Sequence, residues 1–207
     1  MIAELYKASI RKDDKSLFSD LSFLVSSGDR MALVGGDATT ATLILRSLLG
    51  MTKLDTGWAS YDGEPILPSI APCFRRDVAY MPKKFGFGSM TIERVAKDIY
   101  SEKINKDYKY NAVDVQRSLK QLGVDEKCIG ERFDALDKAT AQRVAMALAF
   151  MFERPVALLD SPTSEQDELG RNIVANFIAS QRFDNVAVIV ATNDPEIIAV
   201  CNKRISL

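Results

Sequence analysis

Eight residues, Gly35, Gly36, Asp37, Ala38, Thr39, Thr40, Ala41 and Thr42, stand between an apolar run, Met31 to Val34, and a second apolar run, Leu43 to Leu49. A strand, a glycine-led loop and a helix in this order are the setting of the P-loop, G-x-x-x-x-G-K-[ST]. In that motif backbone N–H groups cradle phosphate, the lysine neutralises the outer phosphates and the hydroxyl holds magnesium. Gly35 and Thr42 fit the pattern, but Thr40 stands where the second glycine belongs and Ala41 where the lysine belongs. Ala41 has no charge to offer a phosphate. Thr40 is β-branched, which is costly wherever the loop needs a positive φ or a close approach of backbone to phosphate. The same residues also read as an ordinary strand-to-helix turn capped by Asp37, Thr39 or Thr40.

Composition narrows what such a loop could serve. The 207 residues suffice for one large domain, or a core with an insertion, and 47% apolar content is ample for a packed core. With 27 basic against 28 acidic residues no global field draws in nucleic acid or an acidic membrane surface, so no nucleic-acid partner is expected. Three scattered cysteines, Cys73, Cys128 and Cys201, lack metal-ligand spacing and read as buried thiols of a reducing compartment. No signal-peptide pattern opens the sequence, and the longest apolar run, Val144 to Phe152, is too short to span a membrane, so the expected location is cytoplasmic. There is no histidine, which removes the commonest general base and metal ligand.

Positioning the loop requires strands before and beside it. Ile2 to Ile10 and Leu17 to Val25 alternate as antiparallel strands, closed by the turn Ser26-Ser27-Gly28-Asp29. Gly50 ends the helix after the loop, Thr56-Gly57 and Asp62-Gly63 bracket a hairpin at Trp58 to Tyr61, and Val78 to Met81 reads as a strand. From Phe85 to Phe133 the texture turns to polar helices, Ile92 to Tyr100 and Val113 to Leu122, with Ser101 to Lys109 a solvated charged loop. Ala139 to Phe152 predicts a long apolar helix, Val156 to Leu159 a buried strand ending at Asp160, Glu165 to Ser180 a helix, and Val186 to Ala191 a further buried strand. Buried strands alternating with helices imply a parallel sheet covered on both faces.

From about Ser16 onward the chain resembles the ATP-binding subunits of ABC transporters. The order of the marks carries the resemblance: Ala32-Leu33-Val34-Gly35 at the P-loop, Leu48-Leu49-Gly50, Asp55-Thr56-Gly57, and Asp62-Gly63-Glu64-Pro65-Ile66. They continue with Val78 to Lys83 leading to a Q-loop, Ala141-Gln142-Arg143-Val144-Ala145 after the signature, Leu158 to Ser164 with Asp167 as Walker B and D-loop, and Thr192-Asn193-Asp194 at the H-loop. The resemblance implies an α/β fold: a P-loop NTPase-like parallel sheet core with an N-terminal antiparallel β subdomain and an inserted α-helical subdomain. Residues 1–84 would hold the β subdomain and P-loop core, 85–140 the helical subdomain and 141–207 the rest of the core.

The same resemblance assigns chemistry and shows it altered. Ser161 takes the place of the glutamate that polarises water, and Asn193 that of the histidine, so no catalytic residue is intact. Lys83 replaces the Q-loop glutamine, and Leu136-Asp137-Lys138-Ala139-Thr140 replaces LSGGQ, which in the family closes over ATP held by the other subunit of a dimer. Asp137 would set a carboxylate against phosphate unless Lys138 or a metal intervened. Gly35 to Thr42, Lys83, Asp137 and Lys138 are the remaining nucleotide-binding candidates, and Thr42 and Asp160 the candidates for magnesium, with Asp160 equally readable as a structural acceptor. These losses imply a pseudo-ATPase for which neither ATP nor magnesium is a firm expectation, acting structurally or in regulation within a transporter. Its expected partners are a membrane-spanning subunit, which holds it at the inner face of the membrane, and a second ABC subunit in a homodimer or heterodimer. The alternatives are an atypical ATPase recruiting Lys83, Lys84 or Lys138, and a soluble ABC-type protein with no membrane partner. Phe85-Gly86-Phe87-Gly88-Ser89-Met90 reads either as a groove for a partner helix or as filling for the helical core.

Overall fold

The computed structural model describes residues 2–12 and 15–207. Alternating polarity near the N-terminus produces strands with one buried face, and continuous apolar runs later produce strands buried on both. β1 (Ile2–Lys12), β2 (Lys15–Ser26), β4 (Thr56–Tyr61) and β5 (Glu64–Pro65) form an antiparallel sheet in the order β2-β1-β4-β5. β3 (Arg30–Val34), β6 (Val78–Met81), β7 (Val156–Asp160), β8 (Ala187–Ala191) and β9 (Lys203–Ser206) form a second sheet in the order β6-β7-β8-β3-β9. All its pairings are parallel. The helices are α1 (Ala38–Leu48), α2 (Ala71–Arg75), α3 (Ile92–Ser101), α4 (Ala112–Gln121), α5 (Lys138–Ala149), α6 (Glu168–Ala179) and α7 (Pro195–Ala199). The expected α/β architecture is thus present.

The strand period of two divides the parallel sheet between two cores. Leu33, Leu158 and Ile189 face α1 and the antiparallel sheet, packing with Ile44, Leu45 and Leu48. Leu159, Val188 and Val190 face the other way, toward α3 to α6, and meet Ile92, Leu119, Val144, Met146 and Ile178. Each fully buried Leu, Ile or Val stabilises by about 1.5–3 kcal/mol. The apolar core of the helical region therefore runs without a break into one face of the sheet. Phe85 and Phe87 belong to this second core: the Phe87 ring lies 4.6 Å from that of Phe133. Of the segment that could have formed a docking groove, only Met90 is an exposed large apolar residue.

Three local expectations are corrected. α5 stops at Ala149 instead of reaching Phe152, because Phe150 leaves the helix to pack on Phe177 and Phe183, and Phe152 packs on Tyr100 and Tyr108. α6 starts at Glu168 instead of Glu165, because the Asp167 side chain accepts the Gly170 N–H at 2.8 Å and caps it there. Gly57 is not a turn residue but a position within β4, beside a register shift between β1 and β4.

Gly57 has φ +74°, and a Cβ there would lie 2.2 Å from the carbonyl oxygen of Tyr6 and 2.4 Å from that of Lys7. Gly63, in the hairpin turn with φ +81°, has nothing within 4 Å of such a Cβ. Gly63→Ala is therefore expected to cost about 1–2 kcal/mol from the left-handed backbone alone. Gly57→Ala adds a clash with backbone that cannot retreat and is expected to cost at least about 2 kcal/mol more. Urea unfolding of the two variants checks the difference.

Candidate functional site

The loop after β3 turns through Gly35 and Gly36, with φ +83° and +63°, and α1 begins at once with Asp37 as its N-cap. The Asp37 carboxylate accepts the Thr40 backbone N–H at 2.7 Å. Helical winding has therefore taken up residues that a P-loop would leave open, and Thr40 is a buried residue in the first turn. This corrects the expectation that Thr40 strains the loop: the positive φ values fall on the two glycines, and a β-branched residue is tolerated in the helix. Hydrogen bonding from the Thr40 N–H holds the Asp37 carboxyl below its ordinary range. Ala41 turns inward and packs in the core with Ile44 and Leu45. At the start of the loop, the Gly35 N–H donates to Asn193 Oδ1 at 2.7 Å, so the residue at the H-loop position reaches back to the glycines.

Asp160 ends the central strand β7 with 0% exposure. Thr42 Oγ1 donates to its Oδ2 at 2.6 Å, and Ser161 Oγ donates to its Oδ1 at 3.3 Å. Ser161 itself has φ +54°, a left-handed conformation that costs a non-glycine residue about 1–2 kcal/mol. It is pinned there by its N–H to the Ala191 carbonyl at 2.9 Å. Magnesium prefers six oxygens in octahedral array, and this corner offers one carboxyl and two hydroxyls, already bonded to it. An ion here would depend on phosphate oxygens supplied by a ligand, and the residues alone do not make a magnesium site. Among the described residues no cluster of three or more His, Cys, Asp or Glu side chains could hold a metal.

Thr39, Thr42 and Asp160 line a cavity of about 540 Å³ that also takes in Leu43, Arg46, Met51, Tyr80, Pro82, Lys83 and Lys84. Sequence reasoning placed Lys83 and Lys84 here as replacement cations, and missed Arg46, which arrives one helical turn after Thr42 on the exposed side of α1. Burial raises the Tyr80 phenol to about 12; Asp160 adds to the shift and Arg46 opposes it. Ser161 and Asn193 instead line a separate cavity of about 330 Å³, with Thr163, Ser164, Arg171 and Asp194.

Asp137 and Lys138 line neither cavity. Asp137 is the N-cap of α5 and accepts the Thr140 N–H at 2.9 Å; contacts with Thr140 hold its carboxyl below the ordinary range. Its carboxylate is turned onto its own helix, and Lys138 is an exposed first-turn residue. A buried polar residue whose role the motif pattern did not reveal is Gln142, fully buried on α5. Its Nε2 donates to the Ser161 carbonyl at 3.2 Å and to Ser164 Oγ at 3.0 Å, and its Oε1 accepts from the Glu165 N–H at 3.1 Å and Gln166 Nε2 at 2.9 Å. The one available signal was a polar residue at a core-facing helical position.

With both sheets, the loop and these caps described, the class is that of an ABC transporter cassette. The structure superimposes on the dimeric MJ0796 bacterial ABC transporter cassette with a TM-score of 0.85 at 17% identity, covering 100% of this chain and 94% of that one. A bacterial Atm1-family ABC exporter with ATP bound gives 0.85 at 18% identity, covering 100% of this chain and 37% of that one. Residues 18–164 match the ABC transporter family, and the chain belongs to it. Among curated relatives it is similar to the ATP-dependent lipid A-core flippase of Idiomarina loihiensis, with 26% identity over 208 residues, 95% of this chain and 36% of the relative. It is likewise similar to the spermidine/putrescine import ATP-binding protein PotA of Pasteurella multocida, with 27% identity over 208 residues, 99% of this chain and 55% of the relative. The chain thus spans between roughly a third and just over half the length of these two relatives.

Two outcomes follow from the geometry. Thr42→Val removes the 2.6 Å hydroxyl from a fully buried carboxyl, and a loss of about 2 kcal/mol in urea unfolding is expected. Asp37 has a folded pKa lowered from 3.8, so its capping is fully present above the unfolded value and is lost as pH falls through the folded one. The Thr40 amide proton resonance should therefore titrate below pH 3.8, and that step should vanish in Asp37→Asn.

Proposed function

We propose that the chain is a degenerate ABC-type ATP-binding subunit, a pseudo-ATPase that serves a transport assembly structurally or in regulation. One observation carries the reading: the two helix starts that the family aims at phosphate, those of α1 and α5, are each closed by the chain's own carboxylate, Asp37 and Asp137. Such N-termini attract anions through unpaired N–H groups and the helix dipole. A built-in carboxylate satisfies both and repels an incoming phosphate. The remaining chemistry agrees with this. Ala41 is buried without charge, and the only oxygen next to Asp160 at the glutamate's position is a serine hydroxyl, a poor base with no histidine to activate it.

In this reading the assembly is completed by a membrane-spanning subunit and by a second cassette, either a copy of this chain or a competent relative. The reported dimer of the MJ0796 cassette supports pairing, and no described helix is long and apolar enough to cross a membrane by itself. Location at the inner face of the membrane would then come through the partner. A second reading, an atypical ATP-binding subunit, is favoured by one observation: Lys83 and Lys84 share a cavity with Thr42 and Asp160.

Purified protein is expected to hydrolyse no ATP in the presence of magnesium and to show no micromolar binding of the Mg-ATP complex by calorimetry. Hydrolysis that disappears in Asp160→Asn would sink the pseudo-ATPase reading and establish the second.

A further inference from the structure

The starting ends of the parallel strands border a cavity of about 440 Å³, reached from the sheet by Ala79 of β6, Ala157 of β7 and Val186 just before β8. Asp160 closes the other end of β7, about 10 Å further along the strand, and this cavity shares no residue with the two described above. Phe150, Phe152 and Phe183 give it aromatic walls, and Glu153, Arg154 and Arg182 are its charged residues. Both arginines are half-buried, and among the described residues neither forms an ion pair with a carboxylate. Their partners are neutral. Arg154 Nη2 donates to Asn105 Oδ1, and its guanidinium lies 5.5 Å from the ring centres of Tyr108 and Phe152. Arg182 donates to the Phe150 carbonyl and, at 3.3 Å, to Gln121 Oε1. Each guanidinium has about five N–H donors, so most remain after these bonds. Among the described residues Arg143 Nε is the only side-chain nitrogen buried without a partner, so the unused donors of Arg154 and Arg182 stay open to an incoming group. Burial works against the charge on Arg182, and Glu153 partly offsets that.

Two guanidiniums less the exposed Glu153 carboxylate leave the cavity a single net positive charge. A monocarboxylate matches that charge and the planar fork of a guanidinium, whereas a phosphate dianion meets Glu153 with more repulsion. The aromatic walls ask for a ligand with an apolar body, and the volume is that of a small-molecule site. We propose that this cavity binds a small monocarboxylate with an aromatic or aliphatic body, its carboxylate held by Arg154 and Arg182 and its body laid against the phenylalanines. The site lies on a seam. Arg154 reaches Asn105 in the turn after α3, and Arg182 reaches Gln121 at the end of α4, both from segments joined to the strands of the sheet. A bound carboxylate therefore braces the helical region against the sheet, and it does so whether or not the cassette turns over ATP.

The test is an NMR titration of the whole chain, labelled with nitrogen-15, with 3-phenylpropionate, its neutral amide, acetate and phenyl phosphate, all without nucleotide. Saturable shifts centred on the amides of Arg154, Arg182 and Phe183 are expected with 3-phenylpropionate, which should bind at least about tenfold tighter than the amide or acetate. Arg154→Gln should weaken it about tenfold. Glu153→Gln, an exposed position where folding is not at risk, should tighten it by removing the competing carboxylate. Lys127→Gln, exposed and outside the cavity, should bind as the parent does. Equal binding of the amide would reduce the site to an apolar pocket, and tighter binding of phenyl phosphate would assign it to another anion, so either result overturns the proposal. No saturable shift up to about 10 mM, shifts centred elsewhere, or affinity unchanged in both cavity variants with circular dichroism like the parent's would overturn it as well. With nucleotide absent throughout, none of these outcomes bears on the pseudo-ATPase reading.

Discussion

A carboxyl group at the end of a central strand, removed from water, must find hydrogen-bond donors inside the protein, and the arrangement around Asp160 follows from that constraint. Leaving it unpartnered would cost several kcal/mol, a large share of a domain's net stability. Thr42 and Ser161 supply the donors. The first ties α1 to β7, and the second lies on the left-handed residue that begins the turn toward α6. Both donors come from the chain itself.

Once that corner is self-sufficient, the neighbouring losses become mutually consistent. The carboxylate cap on α1 satisfies the first N–H groups of the helix from within the chain. An alanine at position 41 then packs against Ile44 and Leu45, where a lysine would be an uncompensated buried charge. Asn193 hydrogen-bonds the Gly35 amide, fixing the loop from the side opposite Asp37. Asp37, Ala41 and Asn193 thus each make a local contact that ties the loop into the fold.

How much of this was visible in the residues depended on range. Strands such as Val156–Asp160 and Ala187–Ala191 are continuous β-branched and leucine-rich runs, and their order with the helices made the parallel sheet readable. The Asp37 cap was readable as one of three candidates, since capping is decided within four residues. The position of Thr40 was misread because the glycine-loop pattern suggested an open loop, while Asp37 caps the helix and leaves Thr40 in its first turn. The end of α5 was misjudged because Phe150 and Phe152 continue the apolar run but are drawn out by aromatic rings distant in sequence. The joining of Arg46 to Lys83 and Lys84, and the burial of Gln142, depend wholly on tertiary packing, which periodicity does not encode.

Gln142 has a mechanical meaning. Four hydrogen bonds from one side chain join α5 to the segment from Ser161 to Gln166, so that the helix and the turn behave as a single lever with Asp137 at its tip. Ser161 in turn bonds through its N–H to the Ala191 carbonyl at the end of β8, so a continuous line of hydrogen bonds joins α5 to that strand. Displacement can in this way pass along the fold as it does along a connecting rod, through hydrogen bonds alone.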